Sequence, residues 1–200
     1  MTKGDSFNKL KEQERESRRD LIIGAAERVF SKKSFNAVTI RDIAKEAGIS
    51  HALIYRYFPD QQSLFVEACM RRGAKIVEFI GKLIDDNNNI KIEKVTEHFI
   101  KFLVDNDQYF RMMTHFMLDG SLSKEKIGSL NSGERVLLAQ FDRIFAKMSS
   151  GKNVRMLSHA YFAAMNGIVI TFRNYPGRSR EEVTSHMQEL GRIIALKFKK

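Results

Sequence analysis

Residues 39–64, TIRDIAKEAGISHALIYRYFPDQQSL, constrain the fold more than any other part of this 200-residue chain. Apolar residues recur at helical spacing before Gly48, which predicts a short helix capped by Thr39. Gly48 predicts a sharp turn, because glycine reaches positive φ without steric cost. Ser50 predicts the cap of a second helix, and Pro59 predicts its end. Two short helices joined by a glycine turn form a helix-turn-helix.

Residues 18–64 resemble the N-terminal domain of the TetR family of transcriptional regulators, most densely between Thr39 and Phe58. The matching residues are Phe30, Thr39, Ile43, Ala44, Ala47, Gly48, Ile49, Ser50, Tyr55, Tyr57, Phe58 and Leu64. Three positions depart from the family's usual residues. Ser34 replaces a glycine, Leu53 replaces a small residue, and Gln61 or Gln62 stands where a phosphate-binding lysine is usual.

The fold class that we predict is all-α, because the chain has two prolines and many good helix formers. The resemblance implies a three-helix DNA-binding domain at residues 17–59 and a six-helix ligand-binding and dimerisation domain at 60–200. Residues 1–16 lack an apolar face, which favours a frayed, flexible tail. The alternative is a basic arm near the minor groove that uses Arg15, Arg18 and Arg19. Gly, Ser and Asn predict a loop over residues 120–133, followed by a seventh helix over about 134–148.

The second short helix should lie in a DNA major groove. Hydroxyl groups on both short helices are suited to phosphate oxygens, whereas His51 and Arg56 can donate to base edges and Leu53 suits a thymine methyl. Either the Gln61 amide donates to phosphate in place of the usual lysine, or the operator is held more weakly at high salt. The predicted DNA-binding residues are Thr39, Arg41, Ser50, His51, Ala52, Leu53, Tyr55, Arg56, Tyr57 and Gln61.

Residues 111–118, RMMTHFML, contain three methionines and a phenylalanine, a composition that gives a soft apolar surface. Core packing is the alternative explanation. The resemblance implies a pocket for a small-molecule effector among the middle helices, with His115 and Asn166 orienting the ligand. The candidate lining residues are Phe79, Phe99, Phe102, Met113, His115, Phe116, Met117, Phe145, Phe162, Met165 and Asn166.

Small residues on the eighth predicted helix permit close helix approach, and the last helix has an apolar stripe. These two helices either cover their own core or, as the resemblance implies, pair with a second copy as a four-helix bundle. The predicted homodimer interface contains Ala160, Ala164, Gly167, Met187, Leu190 and Ile194.

The net charge of +10 suits a polyanionic partner, although most of the excess lies after residue 60. The single cysteine, Cys69, excludes an internal disulfide and fits the cytoplasm. The sequence contains no apolar run long enough for a membrane span and no signal segment, so we predict no membrane association. The histidines lack metal-ligand spacing and no catalytic motif occurs. We therefore predict no metal, no cofactor and no enzymatic activity.

The sequence thus predicts a cytoplasmic, ligand-responsive transcriptional regulator. As the resemblance implies, it would be a repressor that binds a palindromic operator as a homodimer and is released by an apolar or amphipathic small molecule. The alternative is a helical small-molecule-binding protein that keeps a vestigial DNA-binding domain. Arg56, Tyr55 and Tyr57 standing together favour the regulator.

Overall fold

The computed structural model describes residues 3–86, 91–119, 122–148 and 153–198, and the side chains of these except 3–6, 116 and 119. Within these ranges the chain forms helices and turns without strands, so the all-α prediction is confirmed. A 3-10 turn occupies Phe35–Ala37. The described helices are α1 (Lys3–Phe30), α2 (Ile40–Ala47), α3 (His51–Tyr55), α4 (Gln61–Asp85), α5 (Ile92–Asp105), α6 (Asp107–Asp119), α7 (Lys124–Met148), α8 (Val154–Phe172) and α9 (Arg180–Lys197).

The contacts divide the chain into two compact units. The first contains the described residues of Met1–Arg71 and Gln108–Ser129, and the second those of Arg72–Asp107 and Leu130–Lys200. The predicted functional boundary between residues 59 and 60 concerns the roles of the segments, and it stays a prediction. None of the described helices is long and apolar enough to cross a membrane.

The core of the first unit is built on three phenylalanines from α1, the 3-10 turn and α4. The ring of Phe30 stacks on Phe35 at 5.8 Å, and the ring of Phe65 meets both edge-on at 4.9 and 5.2 Å. Beside them, the buried carboxylate of Glu27 pairs with Arg71 at 2.9 Å. Glu27 lies on α1 and Arg71 on α4, so this pair connects the two helices. Removing Arg71 would leave the buried charge of Glu27 uncompensated, which is strongly destabilising.

The second unit is centred on an aromatic cluster. The Tyr161 ring lies 5.0 Å from Phe141 and 5.7 Å from Phe145, and its hydroxyl shares a hydrogen bond of 2.9 Å with Thr96. Helix α9 approaches α5 closely at Gly191. A Cβ there would lie 2.5 Å from Cδ1 of Ile100 and 2.6 Å from Cγ2 of Thr96.

Helix α1 begins much earlier than predicted. The prediction of a frayed tail is wrong for residues 3–16, which are helical, although residues 7–18 are exposed on every side. Lysine, arginine, glutamate and glutamine are good helix formers, and a Glu14–Arg18 pair at 2.5 Å has the spacing that stabilises an isolated helix.

Helix α7 also begins earlier than predicted. It starts at Lys124, so the prediction of a loop up to residue 133 is wrong. The Ser123 hydroxyl accepts from the Lys126 N–H at 3.4 Å, and the Ser123 N–H donates to Gln62 at 3.0 Å. Burial of Leu130 adds tertiary packing that overrides the weak helix propensity of glycine, serine and asparagine. Gly120 and Ser121 lie outside the described residues.

Candidate nucleic-acid interface

A capping box fixes the start of α2, as predicted. The Thr39 Oγ1 accepts from the Asp42 N–H at 3.1 Å, and the Thr39 N–H donates to Asp42 Oδ2 at 2.9 Å. The hydrogen bonds that the Asp42 carboxylate accepts from Thr39, first from its backbone N–H and then from its hydroxyl, lower the pKa of Asp42. The Thr39 hydroxyl also donates to Asp42 at 2.9 Å. Both donors of Thr39 are therefore already engaged within the protein, and a phosphate contact by this hydroxyl would have to displace Asp42.

Helix α3 is positioned by its turn, its cap and two buried anchors. Gly48 has φ 67°, the left-handed conformation predicted for it. The Ser50 Oγ accepts from the Leu53 N–H at 3.3 Å, which leaves the Ser50 hydroxyl hydrogen free for a partner. Ile54 and Phe58 are almost completely buried. The helix ends at Tyr55, yet the Phe58 N–H still donates to the Ile54 carbonyl at 2.9 Å, so both anchors stay on one side.

The side chains left outside form a polar surface with one large aromatic group. His51, Ala52, Arg41 and Arg56 are exposed, and Tyr55 is 53% exposed. Leu53 and Tyr57 are half-buried. They are the other predicted DNA contacts of this helix and of the turn after it. Among the described residues, no hydrogen bond or ion pair engages the side chains of Arg41, His51 or Arg56. These three donors are therefore available to a partner.

An open groove runs beside the exposed side of α3. It is lined by Thr39, Ile40, Arg41, His51, Tyr55, Pro59, Asp60 and Gln61. The Gln61 prediction needs correction, because its side-chain amide donates to the Phe35 carbonyl at 3.0 Å and the residue is half-buried. Gln61 joins α4 to the 3-10 turn instead of replacing the usual lysine at a phosphate.

A second groove, which we call the basic groove, lies between α1 and the end of α3. It is lined by Lys11, Glu14, Arg15, Arg18, Arg56 and Tyr57. Lys11 is not among the predicted contacts, although its spacing from Arg15 and Arg18 places all three on one helical face. Arg19 is held elsewhere, since it pairs with Glu67 at 2.9 Å.

The predicted effector-pocket residues fall in both units. In the first, Met113 is half-buried, Met117 is 50% exposed, and Nδ1 of His115 shares a hydrogen bond of 3.0 Å with the Lys33 carbonyl. The Lys33 carbonyl therefore already engages one of the two ring nitrogens that His115 would use to orient a ligand. The side chain of Phe116 lies outside what the structure describes.

The other predicted lining residues lie in the second unit. Phe99, Phe145 and Met165 are fully buried there, whereas Phe162 is half-buried. The ring of Phe79 lies 5.1 Å from that of Phe102, and both side chains are half-buried. The Asn166 amide donates to the Phe162 carbonyl at 2.8 Å, which leaves its oxygen and one N–H for other partners. A single pocket formed by all eleven residues stays a prediction.

The predicted dimer residues differ in their exposure. Ala160 and Gly167 are exposed, and Ala164, Leu190 and Ile194 are half-buried. Met187 is only 1% exposed, so its assignment to the interface is wrong. Its side chain packs inside its own chain, on the buried side of α9.

The exposed small residues of α8 belong to a longer apolar stripe. Alternating steps of four and three residues place them on one side of the helix. We call this stripe the α8 face, and its members are Met156, Ala160, Ala163, Gly167 and Ile170. Met156 is 65% exposed and Ile170 48%. On α9, Ile193 and Leu196 are also exposed.

The surroundings of Cys69 favour the protonated thiol over the thiolate. Cys69 is buried, and burial, with the nearby charge of Glu27, raises the pKa of its thiol. A protonated, buried thiol is a poor nucleophile. No three potential metal-ligating side chains converge within the part of the chain that the structure describes.

Residues 22–68 match the family model described as bacterial regulatory proteins, tetR family. An HTH-type transcriptional regulator of Haemophilus influenzae is 28% identical over 104 residues, which are half of this chain and half of that protein. The chain thus spans about half the length of this relative.

Two solved structures share the fold over most of their length. The fatty acid degradation regulator FadR of Bacillus halodurans has a TM-score of 0.72 at 15% identity, covering 89% of this chain and 94% of its own. FadR of Bacillus subtilis in complex with stearoyl-CoA has a TM-score of 0.69 at 19% identity, covering 86% and 96%. At these identities the likeness concerns the fold alone. The match at residues 22–68 therefore identifies this segment as a domain of the tetR family of bacterial regulatory proteins, carried on a chain with this fold.

Proposed function

We propose that this protein is a ligand-responsive transcriptional regulator that binds a palindromic DNA operator. The observation that carries the proposal is α3, whose two buried anchors leave His51, Ala52 and Tyr55 exposed. In a helix-turn-helix, residues in the N-terminal part of the second helix contact base edges. His51 and Ala52 occupy that part, and Arg41 lines the same groove as His51. A transcriptional regulator of this kind works in the cytoplasm.

A homodimer would supply the symmetry that a palindromic operator requires. The α8 face supports this part of the proposal, because it is a continuous apolar stripe with small residues at its centre. Such a stripe permits close helix packing, and an exposed one of this length is unusual in a monomer. Ile193 and Leu196 extend the apolar surface on α9.

The effector that we propose is an apolar or amphipathic small molecule bound in the second unit. Phe79, Phe102 and Phe162 are half-buried aromatic side chains, and Asn166 keeps an amide oxygen available as a polar handle. FadR of Bacillus subtilis, which has the same fold, is seen in complex with stearoyl-CoA. Release of the operator upon ligand binding, and hence repression, is the response that we propose.

The alternative function is small-molecule binding with a DNA-binding domain that no longer works. The two functions are separated by selecting DNA from a pool of random duplexes and sequencing what the protein retains. Enrichment of a palindrome supports the regulator. Retention without any enriched sequence, or no retention at low salt, contradicts it.

The selected palindrome then tests α3 itself. His51→Ala should weaken binding to the palindrome by about 1–3 kcal/mol and leave binding to random duplex unchanged, because base contacts carry the sequence discrimination. His159→Ala, an exposed histidine of the second unit, is the matched control. Equal binding by wild type and His51→Ala removes His51 from the interface.

A further inference from the structure

The basic groove joins a part of α1 that supports no core to the end of α3. Residues 7–18 of α1 are exposed on every side, and the buried residues of this helix begin only at Ile22. These twelve residues extend the helix by about 18 Å at 1.5 Å per residue. A helix that buries nothing gains no packing energy, so its side chains need another explanation.

Most of the residues that line the basic groove are positively charged. Lys11, Arg15, Arg18 and Arg56 each contribute a positive charge, and the Tyr57 hydroxyl is a further donor. The one carboxylate, Glu14, is neutralised by Arg18 at 2.5 Å. The other contacts of these cations are weak and exposed. Arg15 lies 3.8 Å from Glu12, and Lys11 lies over the ring of Phe7 at 4.6 Å.

Four cations and a hydroxyl beside a DNA-reading helix are complementary to a row of phosphates. Most contacts from arginine, lysine and tyrosine to DNA go to the phosphate backbone, which positions a protein without reading sequence. The minor groove does not suit this element, because an α-helix is about 10–12 Å across and the groove is about 6 Å wide. The helical form of residues 7–18 therefore excludes insertion and leaves contact along the backbone.

The position of Arg56 fits the same assignment. It is the C-cap residue of α3, at the opposite end from His51, and it lines the basic groove with the cations of α1. Building on the proposed DNA-binding function, we propose that the basic groove binds the phosphate backbone of duplex DNA beside the α3 site. In this assignment Arg56 is a phosphate contact and not the base contact expected from its sequence position.

The salt dependence of binding to random-sequence duplex tests the groove without knowledge of the operator. Each lost phosphate contact should reduce the slope of log K against log salt concentration by about 0.9. Lys11→Ala and Arg15→Ala should each show this reduction. Lys9→Ala is the matched control, because it removes one charge from the opposite face of the same helix and should leave the slope unchanged. Alanine favours helix, so the variants should stay folded.

Two further variants sharpen the test. Glu14→Gln removes the only negative charge of the groove and should tighten binding to random duplex. Arg56→Ala should weaken the selected palindrome and random duplex by the same factor, because a phosphate contact is indifferent to sequence. A selective loss of binding to the palindrome would return Arg56 to base reading and overturn its assignment.

The outcome for the groove is separable from that for the proposed function. If a palindrome is enriched but Lys11→Ala and Arg15→Ala keep the wild-type slope, the groove proposal is wrong and the regulator stands. If no palindrome is enriched while both variants reduce the slope, the groove binds DNA and the regulator does not stand. Slopes that fall equally for Lys9→Ala and Lys11→Ala also reject the groove, because only net charge then matters.

Discussion

Single side chains in this protein act largely by satisfying the backbone groups that helix ends leave open. Thr39, Ser50, Asp60 and Ser179 each accept a hydrogen bond from a backbone N–H three residues further on. The caps Thr39 and Ser50 are predicted correctly because a capping residue and its partner are neighbours in sequence. A few consecutive residues are therefore enough to predict the capping hydrogen bond.

Some hydrogen bonds are not predicted because the two partners are distant in sequence. The amide of Gln61 donates to a carbonyl 26 residues away, and His115 shares a hydrogen bond with a carbonyl 82 residues away. No local pattern indicates such a partner, so both residues look free in the sequence. Met187 is misassigned for a related reason. Periodicity shows that it lies on an apolar face, but not whether its own chain covers that face.

The capping box of α2 should make stability depend on pH. Its hydrogen bonds hold the pKa of Asp42 below the value of an unfolded chain, so the ionised carboxylate stabilises the fold. This stabilisation is complete above the unfolded pKa and is lost as the pH falls through the folded one. We expect wild type to exceed Asp42→Asn in stability at neutral pH, and the difference to shrink as the pH falls below the unfolded pKa of about 3.9.

Urea unfolding of both proteins across this pH range measures the difference. Glu182→Gln is an internal comparison, because Glu182 forms the equivalent capping box of α9 and its pKa is also lowered, mainly by the Ser179 backbone. A difference between wild type and Asp42→Asn that stays constant with pH would contradict the capping role of the carboxylate.

At the scale of helices, the resemblance implies the nine α-helices that the described residues form, but the sequence pattern misses where two of them begin. The missing part of α7 contains glycine, serine and asparagine, which are typical of loops. It is helical because Leu130 is buried and Ser123 is fixed by Gln62. The basic groove is missed in the same way, since Lys11 faces Arg56 only if residues 3–16 are helical. Tertiary packing and helix extent are therefore what the sequence leaves open.

Gly191 is the residue that sets how closely α9 approaches α5. An added Cβ would overlap the side chains of Thr96 and Ile100, and Thr96 is β-branched and stiff. Gly128 of α7 has no atom within 4 Å of an added Cβ, so it is the matched control. Both alanine substitutions gain about 1 kcal/mol of helix propensity. We expect Gly191→Ala to be less stable than Gly128→Ala by about 1–3 kcal/mol, the usual cost of overpacking.

Chemical unfolding of the two variants beside wild type measures this difference. Because the propensity gain is common to both, their comparison isolates the steric cost. Equal free energies of unfolding would mean that α9 shifts away from α5 without penalty, and that Gly191 does not determine their spacing.

At the scale of the whole molecule, the first prediction concerns the proposed dimer. Gly167 lies between Ala163 and Ile170 on the α8 face, and a Cβ added there has no atom of its own chain within 4 Å. Gly167→Arg should therefore leave the chain folded but place two arginines near each other in a symmetric pair. We expect a monomer in sedimentation velocity and weak binding to a full palindrome.

Val136→Arg is the matched control for this change. Val136 is 51% exposed on α7, so the same bulk and charge enter a surface outside the α8 face. This variant should sediment like wild type. If Gly167→Arg also sediments like wild type, and wild type is a dimer, the interface lies elsewhere on the chain.

The last prediction concerns the coupling between effector and operator. Helix α4 is a continuous helix of 25 residues, and the division between the two units falls inside it, after Arg71. An unbroken helix can transmit a small displacement from one end to the other. The two recognition helices of a dimer tolerate little displacement, because their spacing must match a helical turn of DNA of about 34–36 Å. A ligand shifts such an equilibrium only by its differential affinity for the two states. Coupling energies are typically about 1–3 kcal/mol and are reciprocal.

Operator DNA should therefore weaken effector binding by the same factor by which effector weakens operator binding. Calorimetric titration of the effector into free protein, operator-bound protein and protein with a scrambled duplex measures both factors. Equal effector affinities in all three would exclude the coupling and leave a DNA-binding protein that does not respond to that ligand.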